Sequence, residues 1–457
     1  MGNRTSSART AKTPQESEPP SRCETKEQPI AWCPASNRLN KEGNYAVPQT
    51  DSDLWLHPST NTVTLMDGWT ATHTEKLHAA VKDVVAANPI LSGKLVSGEG
   101  GKGLAIAPAE HKNLDPATLN ILAGPSDFEP PPDIVARCSY CQDILGPLVP
   151  SLGSPMQQKK FGGPLFNVTL IELPGNRAAY SVSLSHIVGD GWTYYALIDQ
   201  LDCLVNGRPL EPLVWDDLGI SLRSIQFDSS WSNRDKFLIM MIPSQILKVL
   251  YNMVFGKRQH SHILEVNGDS MAMLKESSRG TAAFVSTNDI VTAAIYEVMR
   301  DDIAHLCCDL RNSKFQFGIP PRIGGNFVGA FVQPRGLAAG SPDFIRKQVM
   351  HPPGRNIFGK NKVPLWLAMR GDFGVITNWA SQTKFITAPC ATVSCHVPHQ
   401  DLFEFSPILN LLQFTYVVVF RADPTTIACL HNVLPADLKA RARSANLFKK
   451  VFKLPAN

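Results

Sequence analysis

SLSHIVGDGW, Ser183–Trp192, sets one histidine, one aspartate and two glycines directly behind a stretch in which apolar and polar residues alternate. Neutral imidazole, with an ordinary pKa near 6.5, accepts protons at physiological pH and is the usual general base. His186 is therefore a candidate catalytic residue. Asp190, four residues on, either orients that imidazole or pins the loop by pairing with an arginine elsewhere. Gly191 supplies a backbone freedom that other residues lack. The same H-x-x-x-D-G spacing also fits a plainer role, a capped helix start carrying a satisfied histidine. These six residues alone leave both readings open.

The flanking sequence places the motif at a strand-to-helix junction. PLFNVTLIEL (Pro164–Leu173) and RAAYSVSLSHIV (Arg177–Val188) alternate as neighbouring strands do. Past Gly191, the residues Trp192, Tyr195, Ala196, Ile198 and Leu201 recur at helical intervals. Further out, ATHTEKLHAAVKDVVAANPILSGKLV (Ala71–Val96) carries apolar residues at helical spacing from Leu77 to Val85, is stopped by Asn88-Pro89, and turns at Gly93 into a strand. In the second half, FVSTNDIVTAAIYEVM (Phe284–Met299) opens an amphipathic helix with the S-x-x-D capping pair Ser286 and Asp289. LLQFTYVVVFRA (Leu411–Ala422) reads as a buried strand, and ADLKARARSANLFKKVFKL (Ala436–Leu454) as a basic closing helix.

Length and composition bound the function classes. A chain of 457 residues exceeds one ordinary core and suggests two domains of roughly 200 residues each. With 43% hydrophobic and 18% charged residues it is a globular chain. A net charge of +4 with scattered basic residues offers no stripe for nucleic acid, which is excluded as a partner. Ten cysteines are sparse, and the lone C-x-x-C of Cys138 and Cys141 has no second pair at zinc spacing. All ten read as reduced thiols with no metal, in a cytoplasmic protein.

Two segments bear on membranes. Residues 1–40 are polar, lack the apolar core of a secretory signal and read as disordered, yet Gly2 and Ser6 fit the myristoylation pattern, with Arg4, Arg9 and Lys12 nearby. KFLIMMIPSQILKVLYNMVFGK (Lys236–Lys257) is the most apolar run, but Pro243, Ser244, Gln245, Lys248 and Asn252 interrupt it and rule out a bilayer-spanning helix. Residues 237–255 form either a helix packed on the core or one lying in a membrane interface. The second alternative, joined to lipidation, would place the protein peripherally at a membrane and point to a lipid-like substrate.

A resemblance narrows the choice. SLSHIVGDGW resembles the HxxxDG signature of the acyltransferase superfamily that includes chloramphenicol acetyltransferase, condensation domains and the BAHD transferases. Four further stretches are similar to that superfamily's segments in the same order. They are ANPILSGKLV (Ala87–Val96), VSTNDIVTAAI (Val285–Ile295), CCDLRNSKFQFGIPPRIGGNFVGAF (Cys307–Phe331) and VITNWASQTKF (Val375–Phe385). The resemblance implies an α/β chain of two chloramphenicol-acetyltransferase-like subdomains with an active-site tunnel between them. On this division, residues 41–215 form the first, 216–265 the crossover with the apolar helix, and 266–457 the second.

It further implies an acyl-CoA-dependent acyltransferase. His186 would deprotonate an alcohol acceptor, Thr377 and Trp379 would hold the oxyanion, and Asp190 would pair with Arg311 rather than relay protons. Ser286 and Thr287 would approach CoA. Acyl-CoA would be a co-substrate, with no tightly bound cofactor, the acceptor a small-molecule or lipid-like alcohol, and the protein a monomer. The superfamily also implies alternatives: a condensation-type enzyme with a carrier-bound acyl donor, and a non-catalytic binding module. APCATVSC (Ala388–Cys395) stands where BAHD transferases carry Asp-Phe-Gly-Trp-Gly, and Ser185 stands where condensation domains carry a second histidine, marking a divergent member.

Overall fold

The two alternating runs before the motif pair as an antiparallel hairpin, Phe166–Leu173 with Arg177–Leu184. Gly175 and Asn176 turn it with φ of 74° and 55°, a left-handed region open to glycine and tolerated by asparagine. The computed structural model describes residues 44–46, 59–101, 103–107, 119–215, 260–278, 284–299, 303–311, 319–334, 341–350, 373–399, 415–433, 442 and 446–453. Over these the elements run β1 (Tyr45–Ala46), β2 (Thr60–Asp67), α1 (Ala71–Ala87), β3 (Lys94–Ser97), β4 (Leu104–Ala107), β5 (Leu119–Ala123), α2 (Ile134–Ile144), α3 (Pro155–Phe161), β6 (Phe166–Leu173), β7 (Arg177–Leu184) and α4 (Gly191–Val205). The second half adds β8 (His260–Val266), α5 (Gly268–Ser278), α6 (Thr287–Met299), β9 (Ile303–Asp309), β10 (Val328–Pro334), α7 (Pro342–Val349), β11 (Phe373–Asn378), β12 (Thr392–Pro398), β13 (Thr415–Arg421), β14 (Ile427–Val433) and β15 (Phe448–Lys453). The segments read as a disordered N-terminus with Gly2, and as the apolar Lys236–Lys257 run, lie outside the described residues. Among those described, no helix is long and apolar enough to cross a membrane.

Two large sheets organise the chain, with a small one of order β1-β4-β3 beside them. The five-stranded sheet runs β12-β2-β7-β6-β5 and the seven-stranded sheet β10-β9-β11-β13-β14-β8-β15. Alternation along β7 implies one wet face, yet Ala178–Leu184 is buried throughout. The polar face is satisfied inside the protein: Ser181 Oγ donates to Asn61 Oδ1 at 2.7 Å and Tyr194 Oη donates to the Val182 carbonyl at 2.8 Å. Helix α1 buries Leu77, Ala80, Val81, Val84 and Val85, and packs along α4. It ends at Asn88, fully buried, whose amide donates to Val84 O and Gln200 Oε1 and accepts from Leu213 N and Trp215 Nε1. Four bonds on one side chain fasten α1, α4 and the segment that follows α4 together. In the second half, α6 buries Ile290, Val291, Ile295 and Val298 in a separate core with Val417 and Val419 of β13.

Two features depart from the sequence reading. Strand β12 comes from the second half but pairs antiparallel with β2 in the first sheet, so the second half completes the first sheet's edge. The closing segment is not helical at its end: Phe448–Lys453 is strand β15, antiparallel to β8 at the sheet edge. Phe448 is buried, while Lys450 reaches Asp133 and Glu265. Lysines on an edge strand discourage pairing with other chains, a use of charge that helical periodicity does not reveal.

β12 also brings His396 into the first core with no exposure. Its Nδ1 lies 2.8 Å from Thr64 Oγ1 and its Nε2 3.0 Å from Tyr195 Oη. Burial pushes its pKa down to about 3, so the ring is neutral in the fold. The unfolded chain, with an ordinary histidine pKa, takes up a proton below about pH 6.5, and the folded chain does not until about pH 3. The stability held in neutral His396 is therefore complete above pH 6.5 and lost as pH falls toward 3. Denaturant melts at pH 7 and pH 5 are expected to differ by about 2 kcal/mol from this group, and His396→Leu flattens that difference.

Candidate active site

Helix α4 begins where the motif ends. Asp190 is its N-cap and accepts from Thr193 N at 3.0 Å. Strand β7 delivers the chain to Ser185, and the loop from Ser185 to Asp190 is buried except at His186, which keeps partial exposure.

Of the two roles open to Asp190, the structure favours pinning the loop. Arg311 Nη1 donates to Asp190 Oδ2 at 2.9 Å, and each side chain is 2% exposed. Phe327 N donates to the same oxygen at 2.8 Å. Burial alone would raise the Asp190 pKa, but the Arg311 charge and its hydrogen bonds, with those from Thr193 and Phe327, outweigh it and hold the carboxyl below its ordinary range. Arg311 is itself held by Ile323 O, Gly325 O, Thr193 Oγ1 and Asp309, and lies between the rings of Trp192 and Phe327 at 4.4 and 4.5 Å. Sharing that guanidinium, Asp309 is pushed up by burial, with Arg311 opposing and Asp190 adding to the rise.

The sequence reading missed the clamp made by residues 325–327. Gly325 O accepts from Asp190 N, Thr193 Oγ1 and Arg311 Nη2, and Gly325 N donates to Thr193 Oγ1. Asn326 Nδ2 donates to His186 O at 2.8 Å. Gly325 sits at φ 129°, where a side chain is strained. The Gly-Asn pair was visible as a family-like stretch, but nothing in it indicates contact with a loop about 140 residues away.

His186 is shifted below its ordinary pKa, first by burial. Its own backbone, the Asp190 charge and Asn326 pull the other way. The ring is therefore the neutral, proton-accepting form at pH 7.

Beside the loop lies an open cleft, lined among others by Asp190, Gly191, Trp192, Asp309, Thr377 and Trp379. It also takes in Cys307 and Cys308; His186 is not among its lining residues. Thr377 stands near the end of β11, which runs parallel between β9 and β13. Trp379, two residues on, is anchored by its backbone N–H to Val419 O at 2.7 Å and has its ring centroid 6.1 Å from that of Tyr195. The cleft wall is thus built from both halves of the chain.

Gly191 is required for space rather than for an unusual backbone conformation, since it is not among the residues with positive φ. A Cβ there would stand 2.8 Å from Trp379 Nε1 and 3.1 Å from Cδ1. Gly191→Ala is expected to push the indole out of place at a cost of about 1–3 kcal/mol. A thermal melt together with Trp379 fluorescence checks this, with a changed indole environment as the expected signature.

Ser286 and Thr287 are not brought to the cleft. Ser286 Oγ donates to Asp289 Oδ2 at 2.8 Å and Asp289 N bonds back at 3.3 Å, the expected cap of α6. Asn288, the next residue, reaches the cleft wall through its bond with Asn378. Cys138 and Cys141 lie fully buried on α2. Hydrogen bonding with Cys395 and burial raise their thiols well above the ordinary value. Among the described residues no cluster of three or more His, Cys, Asp or Glu side chains could hold a metal ion.

No family model matches the sequence, and no curated protein does. Solved structures do match. The first condensation domain of the CDA synthetase aligns with a TM-score of 0.55 at 13% identity, over 89% of this chain and 96% of that one. TRI101 of F. sporotrichioides, solved with coenzyme A and T-2, aligns at 0.57 and 12%, over 89% and 99%. SgcC5 of Streptomyces globisporus aligns at 0.52 and 15%, over 85% and 90%. The chain thus has the mixed α/β, two-subdomain fold of the chloramphenicol-acetyltransferase type that these proteins share, in a divergent sequence.

Proposed function

We propose that the protein is an acyltransferase that moves an acyl group from a CoA thioester to an alcohol. The observation that carries this is the division of labour at the motif: Asp190 is committed to Arg311, Thr193 and Phe327, leaving His186 neutral beside a cleft with Thr377 and Trp379 in its wall. His186 takes the proton of the acceptor hydroxyl. The oxygen attacks the thioester carbon, and the Thr377 hydroxyl and the Trp379 indole N–H steady the oxyanion. Collapse breaks the C–S bond, and the imidazolium returns the proton to the CoA sulfur. The products are an ester and free CoA, with no covalent protein intermediate and no tightly bound cofactor. Asp190, Gly191 and Arg311 hold this geometry. We place Ser286 and Thr287 on the approach of CoA; the Ser286 hydroxyl is engaged in the α6 cap with Asp289.

That TRI101 is solved with coenzyme A supports the CoA donor, while the likeness to a condensation domain favours a second reading, in which a carrier protein presents the acyl group. The acceptor is a small or lipid-like alcohol. A monomeric protein in the cytoplasm completes the reading. The test is free CoA release from acetyl- to palmitoyl-CoA with pooled alcohols, compared with carrier-bound thioesters. Acceptor-dependent release is expected. Turnover only with the carrier-bound donor supports the second reading, and binding without turnover of either supports a non-catalytic module.

A further inference from the structure

We propose that Asn326 is the positioning residue of His186, fixing the loop that presents the imidazole. The inference rests on the reading of His186 as the general base and deepens it. Strand β7 ends at Leu184 and α4 starts at Gly191, so beyond Ser185, whose N–H still bonds Leu165 O at 2.7 Å, the loop has no regular ladder to fix its peptides. Its far end is secured by Asp190. Its histidine end is secured by Asn326 Nδ2, which donates to the His186 carbonyl at 2.8 Å. This donor comes from the second half of the chain, between two residues whose main chain already bonds to the motif: Gly325 O with Asp190 N at 3.3 Å, and Phe327 N with Asp190 Oδ2 at 2.8 Å. Residues 325, 326 and 327 therefore grip the loop at both ends, and only Asn326 does so through a side chain and on His186. A base misplaced by about an ångström costs up to a hundredfold in rate, so this one bond acts on catalysis without touching substrate.

Asp190 is the charged group acting on the ring, with Arg311 and Asp309 behind it; the bonds of Arg311 to Asp190 and Asp309 do not involve Asn326. Asn326 itself pulls the His186 pKa upward against burial.

The experiment is an imidazole NMR titration of the full chain, with the His186 signal assigned by its loss in His186→Gln. Asn326→Leu is expected to lower the His186 pKa and to broaden its ring signals while the other histidines titrate unchanged. In the acyl-transfer assay kcat is expected to fall about tenfold, with KM held within about twofold. Should leucine prevent folding, Asn326→Ala gives the same readings. A folded variant with unchanged His186 titration, line width and kcat overturns the proposal. Because the titration needs no substrate, it separates this outcome from failure of the acyltransferase reading, in which His186→Gln would itself leave turnover unchanged.

Discussion

Replacing His186 by alanine is expected to lower acyl transfer by about 10²–10⁴-fold, the contribution of a positioned general base. The loss falls on kcat and kcat/KM alike, because the proton is taken only as the acceptor attacks. The same assignment fixes the pH profile. Burial holds the imidazole below its ordinary pKa of 6.5, so the basic form prevails from neutral pH upward. Turnover is expected to be level above pH 6.5 and to decline on acidification only below it, with the acid limb absent in the residual activity of His186→Ala. Initial rates from pH 5 to 9 with one active donor and acceptor pair measure both effects. A limb centred well above 6.5 contradicts the assignment.

The second large effect is on stability. Asp190→Ala leaves Arg311 charged and 2% exposed, and strips an acceptor from Thr193 N and Phe327 N. Removing one partner of a buried ion pair costs about 3–5 kcal/mol. Set against a total stability of about 5–15 kcal/mol, this threatens folding outright. Because Asp190 is lowered by Arg311 and its hydrogen bonds, its stabilisation is present above the ordinary carboxyl pKa and is lost only as pH falls through the depressed one. Asp190→Ala with Arg311→Met removes both charges and is expected to recover part of the loss, measured as a double-mutant cycle in urea. A relay role for Asp190 predicts the opposite pattern: native stability in Asp190→Asn with kcat abolished.

How far the sequence revealed these features depends on how local each one is. The β6–β7 hairpin, the junction into α4 and the cap of α6 are encoded within a few residues, by alternation, by Gly175-Asn176 and by Ser286 with Asp289. The partner of Asp190 lies 121 positions away and was reached through the resemblance of CDLR, not through physics in the chain itself. Strand β12 was hidden because pairing with β2 spans more than 300 residues and APCATVSC carries no strand-to-sheet address. β15 was misread because its lysines serve an edge and imitate a solvated helix face. Gly191 was singled out for conformational freedom, whereas its need is room for the Trp379 indole, a constraint set by a residue from the other half. The contact of Asn326 with His186 was hidden for the same reason.

The most direct test measures both products at once. Purified protein with an acyl-CoA and an alcohol, followed by mass spectrometry, is predicted to give one CoA for each ester, no CoA without acceptor, unmodified protein throughout, and neither product with His186→Ala. Equal ester yield from His186→Ala, or a stable acylated protein, would contradict the account.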